Sequence, residues 1–145
     1  MKLIRRSLLW LHFMVGLGGM AGGMAAVLNP QKPLGMSTEA LKNSPFSDYL
    51  IPGIILFAVI GLGNLFSGIM LLKKSKWQAY TSGITGAALV VWIIVQCIML
   101  RLVAFLHILF FGFGMVEGLL ATVILFEQKQ FPANLVIKVF SRLRN

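Results

Sequence analysis

From Ala79 to Phe126 the chain carries only two ionised side chains, Arg101 and Glu117. As one helix, at about 1.5 Å per residue, that stretch would run for about 70 Å, more than twice the ~30 Å hydrocarbon thickness of a bilayer. It must therefore double back, and Arg101 is the polar point at which it can. This reading places helices over 80–100 and 103–127, joined by a tight connection that lacks Gly and Pro. Two further apolar runs lie upstream. Leu8 to Leu28 is interrupted only by His12, and Tyr49 to Leu72 has Asn64 as its most polar interior residue. None of the four runs alternates apolar and polar residues with the period of two that a barrel strand needs, so helices are expected. The fold class is all-α: a single transmembrane four-helix domain over residues 1–145, with helices at 8–28, 49–72, 80–100 and 103–127.

Composition excludes the soluble alternatives. Of 145 residues, 58% are hydrophobic and 12% charged, with a mean hydropathy of +0.87. A soluble domain has about a quarter of its residues charged. The net charge of +9 would raise nucleic acid as a partner in a soluble chain. Here the basic residues sit in short clusters between apolar runs, where they orient the chain and meet anionic lipid headgroups; nucleic acid is not expected. Lys2, Arg5 and Arg6, then Lys73, Lys74 and Lys76, then Lys129, Lys138, Arg142 and Arg144 fall on one side. Lys32, Lys42 and Arg101 fall on the other, so both termini are expected to be cytoplasmic. Trp10, Tyr49, Trp77 and Tyr80 lie near span ends, where amphipathic rings settle. The first run also has the layout of a signal peptide, with Gly23-Met24-Ala25 as a small-residue site, but it continues through Leu28 and is long enough to span. The lone Cys97 excludes an intrachain disulfide.

The segment from Asn29 to Asp48 is the one stretch with soluble-loop composition. Its turns centre on Asn29-Pro30 and Asn43-Ser44-Pro45, with a helical turn capped by Ser37 or Thr38 between them and Met36 and Leu41 expected on the membrane face. Ser47 and Asp48 offer capping oxygens to the second helix. After Glu127, residues 131–144 place Phe131, Leu135, Val136, Val139, Phe140 and Leu143 in a helical pattern with Lys138, Arg142 and Arg144. An amphipathic surface helix, started by Pro132, is expected there.

At Ser44-Pro45-Phe46-Ser47-Asp48-Tyr49-Leu50-Ile51-Pro52-Gly53, with Leu56-Phe57, Gly61-Leu62-Gly63, Trp92-Ile93 and Gln96, the chain resembles a group of small bacterial membrane proteins with four helices and no assigned activity. The resemblance covers most of the chain. It implies a multi-pass protein of the bacterial inner membrane with a DoxX-like shape, and it carries over no catalytic residue.

Because lipid supplies little hydrophobic drive between helices, small residues that permit close approach carry the packing. The candidates are Gly18 with Gly22, Gly19 with Gly23, Gly61 with Asn64 and Gly68, Gly83 with Ala87, Ser82 with Gly86, and Gly114 with Gly118. Phe105, Phe110, Phe111 and Phe113 are expected to face lipid or fill gaps opposite glycines.

Glu117 stands out, since an ionisable group inside a span normally points into the bundle and finds a partner. Depth counting aligns it with Asn64 and Thr85, with His12 about a turn away. A polar network of Glu117, Asn64, Thr85 and His12 is expected, with Glu117 hydrogen-bonded to Asn64. Gln96 and His107 are nearly symmetric about the Arg101 turn and form a second candidate pair that would staple the hairpin. His12 and His107 lie too far apart along the membrane normal to ligate one haem, and no metal-ligand spacing, phosphate loop or nucleophile motif is present, so no cofactor is expected. The leading functional expectation is a small structural or accessory membrane protein without turnover, in contact with lipid and with a second copy or a membrane partner. A proton- or solute-coupled transporter subunit using Glu117 is the runner-up, and a membrane enzyme subunit that binds quinone or lipid is the third.

Overall fold

The computed structural model describes residues 1–143. Arg144, and with it the end of the expected tail helix, lies outside the described residues. Five helices and no strands are found among them: α1 (Lys2–Leu28), α2 (Leu50–Leu72), α3 (Gln78–Leu100), α4 (Phe105–Glu127) and α5 (Ala133–Leu143). The first four are long and apolar enough to cross a membrane. Leucines and isoleucines around their rim are left uncovered by protein, as at Leu17, Ile84, Ile98 and Leu119. That is the surface expected of a bundle whose solvent is hydrocarbon rather than water.

The reversal falls at Arg101, which takes a left-handed conformation (φ 48°, ψ 35°) as the residue that ends α3. Glycine is the usual occupant of such a position because it has no Cβ, so an arginine here marks a turn imposed by the packing of the two helices it joins. The next helix starts at Phe105, after three extended or irregular residues, with the Ala104 N–H donating to His107 Nδ1 at 3.0 Å.

Helix α2 is not regular throughout. Over Leu56–Leu62 it widens into a π turn, an arrangement that often marks a close crossing or a site. This widened stretch is where α1 presses against it. A Cβ placed on Gly19 would lie 2.9 Å from Gly61 N, and one on Gly23 would lie 2.6 Å from Phe57 N and 2.7 Å from Gly53 O. The α3–α4 contact is built similarly, with a Gly114 Cβ falling 2.9 Å from Gly86 O. Not every small residue is used alike: the Gly118 backbone N would lie 3.0 Å from a Gly86 Cβ although its own Cβ would meet nothing within 4 Å, while Gly18 receives the ring of Phe110.

The two ends of the bundle close differently. At the end holding the basic clusters, Arg5 Nη2 donates to Glu127 at 2.8 Å and Arg5 Nη1 to Gln78 Oε1 at 3.1 Å, joining the start of α1 to the end of α4 and the start of α3. Tyr80 donates to Phe131 O and Gln130 to Lys76 O, which ties the linker before α5 to the first turn of α3 and to the α2–α3 loop. The 29–49 segment covers the opposite end. Ser37 caps a short 3-10 turn (Thr38–Leu41) by accepting from Glu39 N, and Asp48 accepts from Leu50 N at the start of α2. Leu41, expected on the membrane face, is instead buried with Ala26, Tyr49 and Met99. The loop folds inward over the bundle end, and burying Leu41 there removes more apolar surface from water than resting it on headgroups would. The Tyr49 hydroxyl donates to Ser37 O at 3.0 Å, and burial pushes its phenol above the usual range, which keeps it a donor.

Candidate functional site

The four spanning helices each contribute one polar side chain to a single contact near the middle of the bundle: His12 from α1, Asn64 from α2, Ser82 from α3 and Glu117 from α4. All four are 0% exposed. The glycine crossings explain how they meet, because Gly19 against Gly61 and Gly86 against Gly114 bring the backbones close enough for medium-length side chains to reach each other.

His12 is the hub. Its Nδ1 lies 2.7 Å from Asn64 Oδ1 and its Nε2 lies 2.8 Å from Ser82 Oγ. The amide of Asn64 is oriented by a second bond, since Nδ2 donates to Ile60 O at 2.9 Å. Oδ1 therefore faces the ring, and because it can only accept, His12 Nδ1 must carry a proton. In the neutral ring, Nε2 then accepts from the Ser82 hydroxyl; in the charged ring it donates to it. Glu117 Oε1 lies 3.2 Å from the same Nδ1, and neither carboxyl oxygen has any other partner among the described residues. The Nδ1 proton is directed at Asn64, so the Glu117 contact is a close approach to the ring and not a hydrogen bond.

Compared with the sequence-derived network, the structure brings Glu117, Asn64 and His12 together but changes who bonds to whom. Glu117 is not hydrogen-bonded to Asn64; the imidazole stands between them. His12 sits within the layer rather than a turn away. Thr85 lies beside the cluster; its hydroxyl donates to the Thr81 carbonyl at 3.0 Å and can accept from Ser67 Oγ at 3.3 Å, making a direct α2–α3 contact. Ser67 has no place in the sequence reading, and Ser82 enters it only as a packing residue beside Gly86. Both carry a legible signal: Ser82 is one turn before Thr85 and Gly86, and Ser67 one turn after Asn64, so each shares the face of a residue already singled out.

Gln96 and His107 both line one cavity at the end of the bundle near the Arg101 turn, yet no hydrogen bond joins them. His107 Nδ1 is committed to the Ala104 N–H at the start of α4. Among the described residues no group of three His, Cys, Asp or Glu side chains is placed to hold a metal ion.

No protein-family model, curated protein or solved structure matches this chain. The resemblance to DoxX-like proteins thus gains no support, and the four-span architecture rests on the helices themselves.

Proposed function

We propose that the chain is a small multi-pass protein of the bacterial inner membrane, of structural or accessory type, whose bundle is held in one register by the His12–Asn64–Ser82–Glu117 network. The observation that carries this reading is the sealing of the network. Each member is fully buried, so the cluster offers no surface from which water or a solute could enter, as a transport path would require. A buried polar group that pairs across helices specifies rotation and depth, which apolar contacts alone leave loose. The basic clusters of the N-terminus, the α2–α3 loop and the chain after α4 favour a cytoplasmic location for both termini. A topology reporter fused after Lys129 is expected to be active on the cytoplasmic face and silent on the other; the reverse result would overturn the orientation.

Lipid is the partner the surface suits. In α5, Val136, Phe140 and Leu143 occupy one side while Asn134, Lys138 and Arg142 occupy the other, and the helix touches the bundle little beyond the buried Ala133. Such a helix fits the boundary between anionic headgroups and acyl chains. A second copy of the chain or a membrane partner would meet the uncovered rim of the bundle.

One observation favours a second reading. His12 and Glu117 are two titratable groups in direct contact inside a membrane bundle, the arrangement used to hold a proton. Glu117→Gln separates the two roles, because it keeps the size of the side chain and an acceptor toward His12 but cannot exchange a proton. The structural reading expects this variant to fold with an unfolding midpoint close to the parent's and to leave proton leak unchanged in reconstituted vesicles. A folded Glu117→Gln protein that loses a proton flux shown by the parent would replace the structural reading with the transporter one.

A further inference from the structure

At the end of the bundle near the Arg101 turn, all four spans line a cavity of about 190 Å³, with Gly18 from α1, Leu56 from α2, Trp92 and Gln96 from α3, and His107 and Phe110 from α4. It adjoins a second cavity of about 400 Å³ between α3 and α4 that shares Ile93 and His107 and is otherwise apolar. Ile98, Val103 and Ile108 on the second cavity are each more than half exposed on the lipid-facing rim. The outer cavity thus opens on the uncovered rim of α3 and α4, and the inner one adjoins it. Together the two have the size of a small-molecule site, about 300–1,000 Å³.

The polar lining is sparse and of one kind. Trp92 is only 7% exposed, and its indole N–H is buried with no acceptor among the described residues. An indole nitrogen can only donate, and a buried donor without an acceptor is rare in folded proteins. His107 points to the same need by a separate route. Its Nδ1 accepts the Ala104 N–H, so in the neutral ring the proton sits on Nε2, which is therefore a second donor. Gln96 makes no side-chain hydrogen bond of its own and can add a donor or an acceptor. No Asp, Glu, Lys or Arg side chain lines either cavity.

We infer that this paired cavity is a binding site for a bilayer-soluble molecule with a long apolar tail and a carbonyl oxygen at its head. The oxygen accepts from the Trp92 indole and the His107 Nε2–H, and the tail lies in the outer cavity against α3 and α4. Two donors and no ionised lining residue select an uncharged acceptor over a carboxylate or an ammonium group. Flat apolar walls with Trp92 and Phe110 suit a ring or an ester linkage. Both an acyl-ester lipid and an isoprenoid quinone have this chemistry. The inference stands apart from the register role given to the His12 network, which lies deeper in the bundle, and either can fail without the other.

Binding can be read from Trp92 alone in a full-length Trp10→Phe, Trp77→Phe protein in nanodiscs. One arm adds decyl-ubiquinone as a quencher; the other builds the disc with increasing phospholipid brominated on its acyl chains. Saturable quenching in the first arm identifies the quinone head, and saturable quenching in the second identifies the ester lipid. His107→Asn is the deciding variant, because the asparagine oxygen can still accept the Ala104 N–H while its shorter amide does not reach the position of the His107 Nε2–H. It is expected to weaken the saturable phase about tenfold with unfolding unchanged. If His107→Asn does not fold, Gln96→Leu takes its place, with a severalfold weakening expected. Quenching that rises linearly in both arms, as simple partitioning requires, or a saturable phase indifferent to both variants, overturns the proposal.

Discussion

Gly23→Ala should destabilise this protein more than any other single methyl group could. The added Cβ would lie 2.6 Å from Phe57 N, 2.7 Å from Gly53 O and 2.7 Å from Phe57 Cβ, and the first two are backbone atoms that cannot swing aside. The α1–α2 pair must separate or slide, and in lipid that contact is the main attraction holding the two helices together. Overpacking a core costs about 1–3 kcal/mol when side chains can give way. With backbone on the receiving side, a loss of about 3 kcal/mol or more is expected, read as a fall in the thermal unfolding midpoint in detergent. Gly112→Ala is the matched control, because its Cβ would meet nothing within 4 Å. Alanine is the better helix former there, so this variant should be neutral or stabilised by up to about 1 kcal/mol. Equal midpoints for the two alanine variants would mean that the α1–α2 crossing is not as drawn.

His12→Leu should have the next largest effect, larger than any substitution of Glu117. Removing the ring strips hydrogen-bond partners from Asn64 Oδ1 and Ser82 Oγ and takes the one polar neighbour from Glu117 Oε1, leaving three buried polar groups facing apolar surroundings. Interhelical hydrogen bonds in membranes average about 0.6 kcal/mol each, while a buried polar group left unpaired costs about 1–3 kcal/mol. A combined loss of about 2–4 kcal/mol is expected on these grounds. Removing Glu117 leaves both His12 bonds in place, so the two sites can be ranked directly by unfolding midpoint. A double variant lacking both His12 and Glu117 should be more stable than His12→Leu alone, because the orphaned acid is gone. If the double variant is the weaker of the two, Glu117 contributes through some contact other than His12.

The ranking also shows where sequence reasoning stopped. Glu117 drew attention because charge inside an apolar run is visible in one dimension, and Asn64 followed from matching its depth. His12 was placed as an assistant because depth counting is accurate to about one turn, too coarse to tell a hub from a neighbour. Ser82 looked like a packing residue beside Gly86, and only its 2.8 Å approach to His12 Nε2 gives it a second role. The Gln96–His107 pair failed to form for a local reason. His107 Nδ1 is turned back to accept the Ala104 N–H at the start of α4, which leaves Gln96 without it as a partner.

What the amino-acid order by itself determined is the set of spans, the reversal at Arg101 and the gathering of basic residues at one end. These follow from transfer free energies that each residue carries wherever it sits: an apolar run long enough to cross lipid is stable there, and Lys and Arg stay at the surface. Only the tertiary structure decided which faces meet. The spanning helices are apolar nearly all round, so no stripe marks an inward side. Their rotations are set instead by where two backbones can touch, as at Gly19 and Gly61 or at Gly86 and Gly114. The π turn in α2, the inward fold of Leu41 and the meeting of His12 with Asn64, Ser82 and Glu117 are settled by steric fit between helices. That fit is a property of pairs of surfaces and is written in no single stretch of chain.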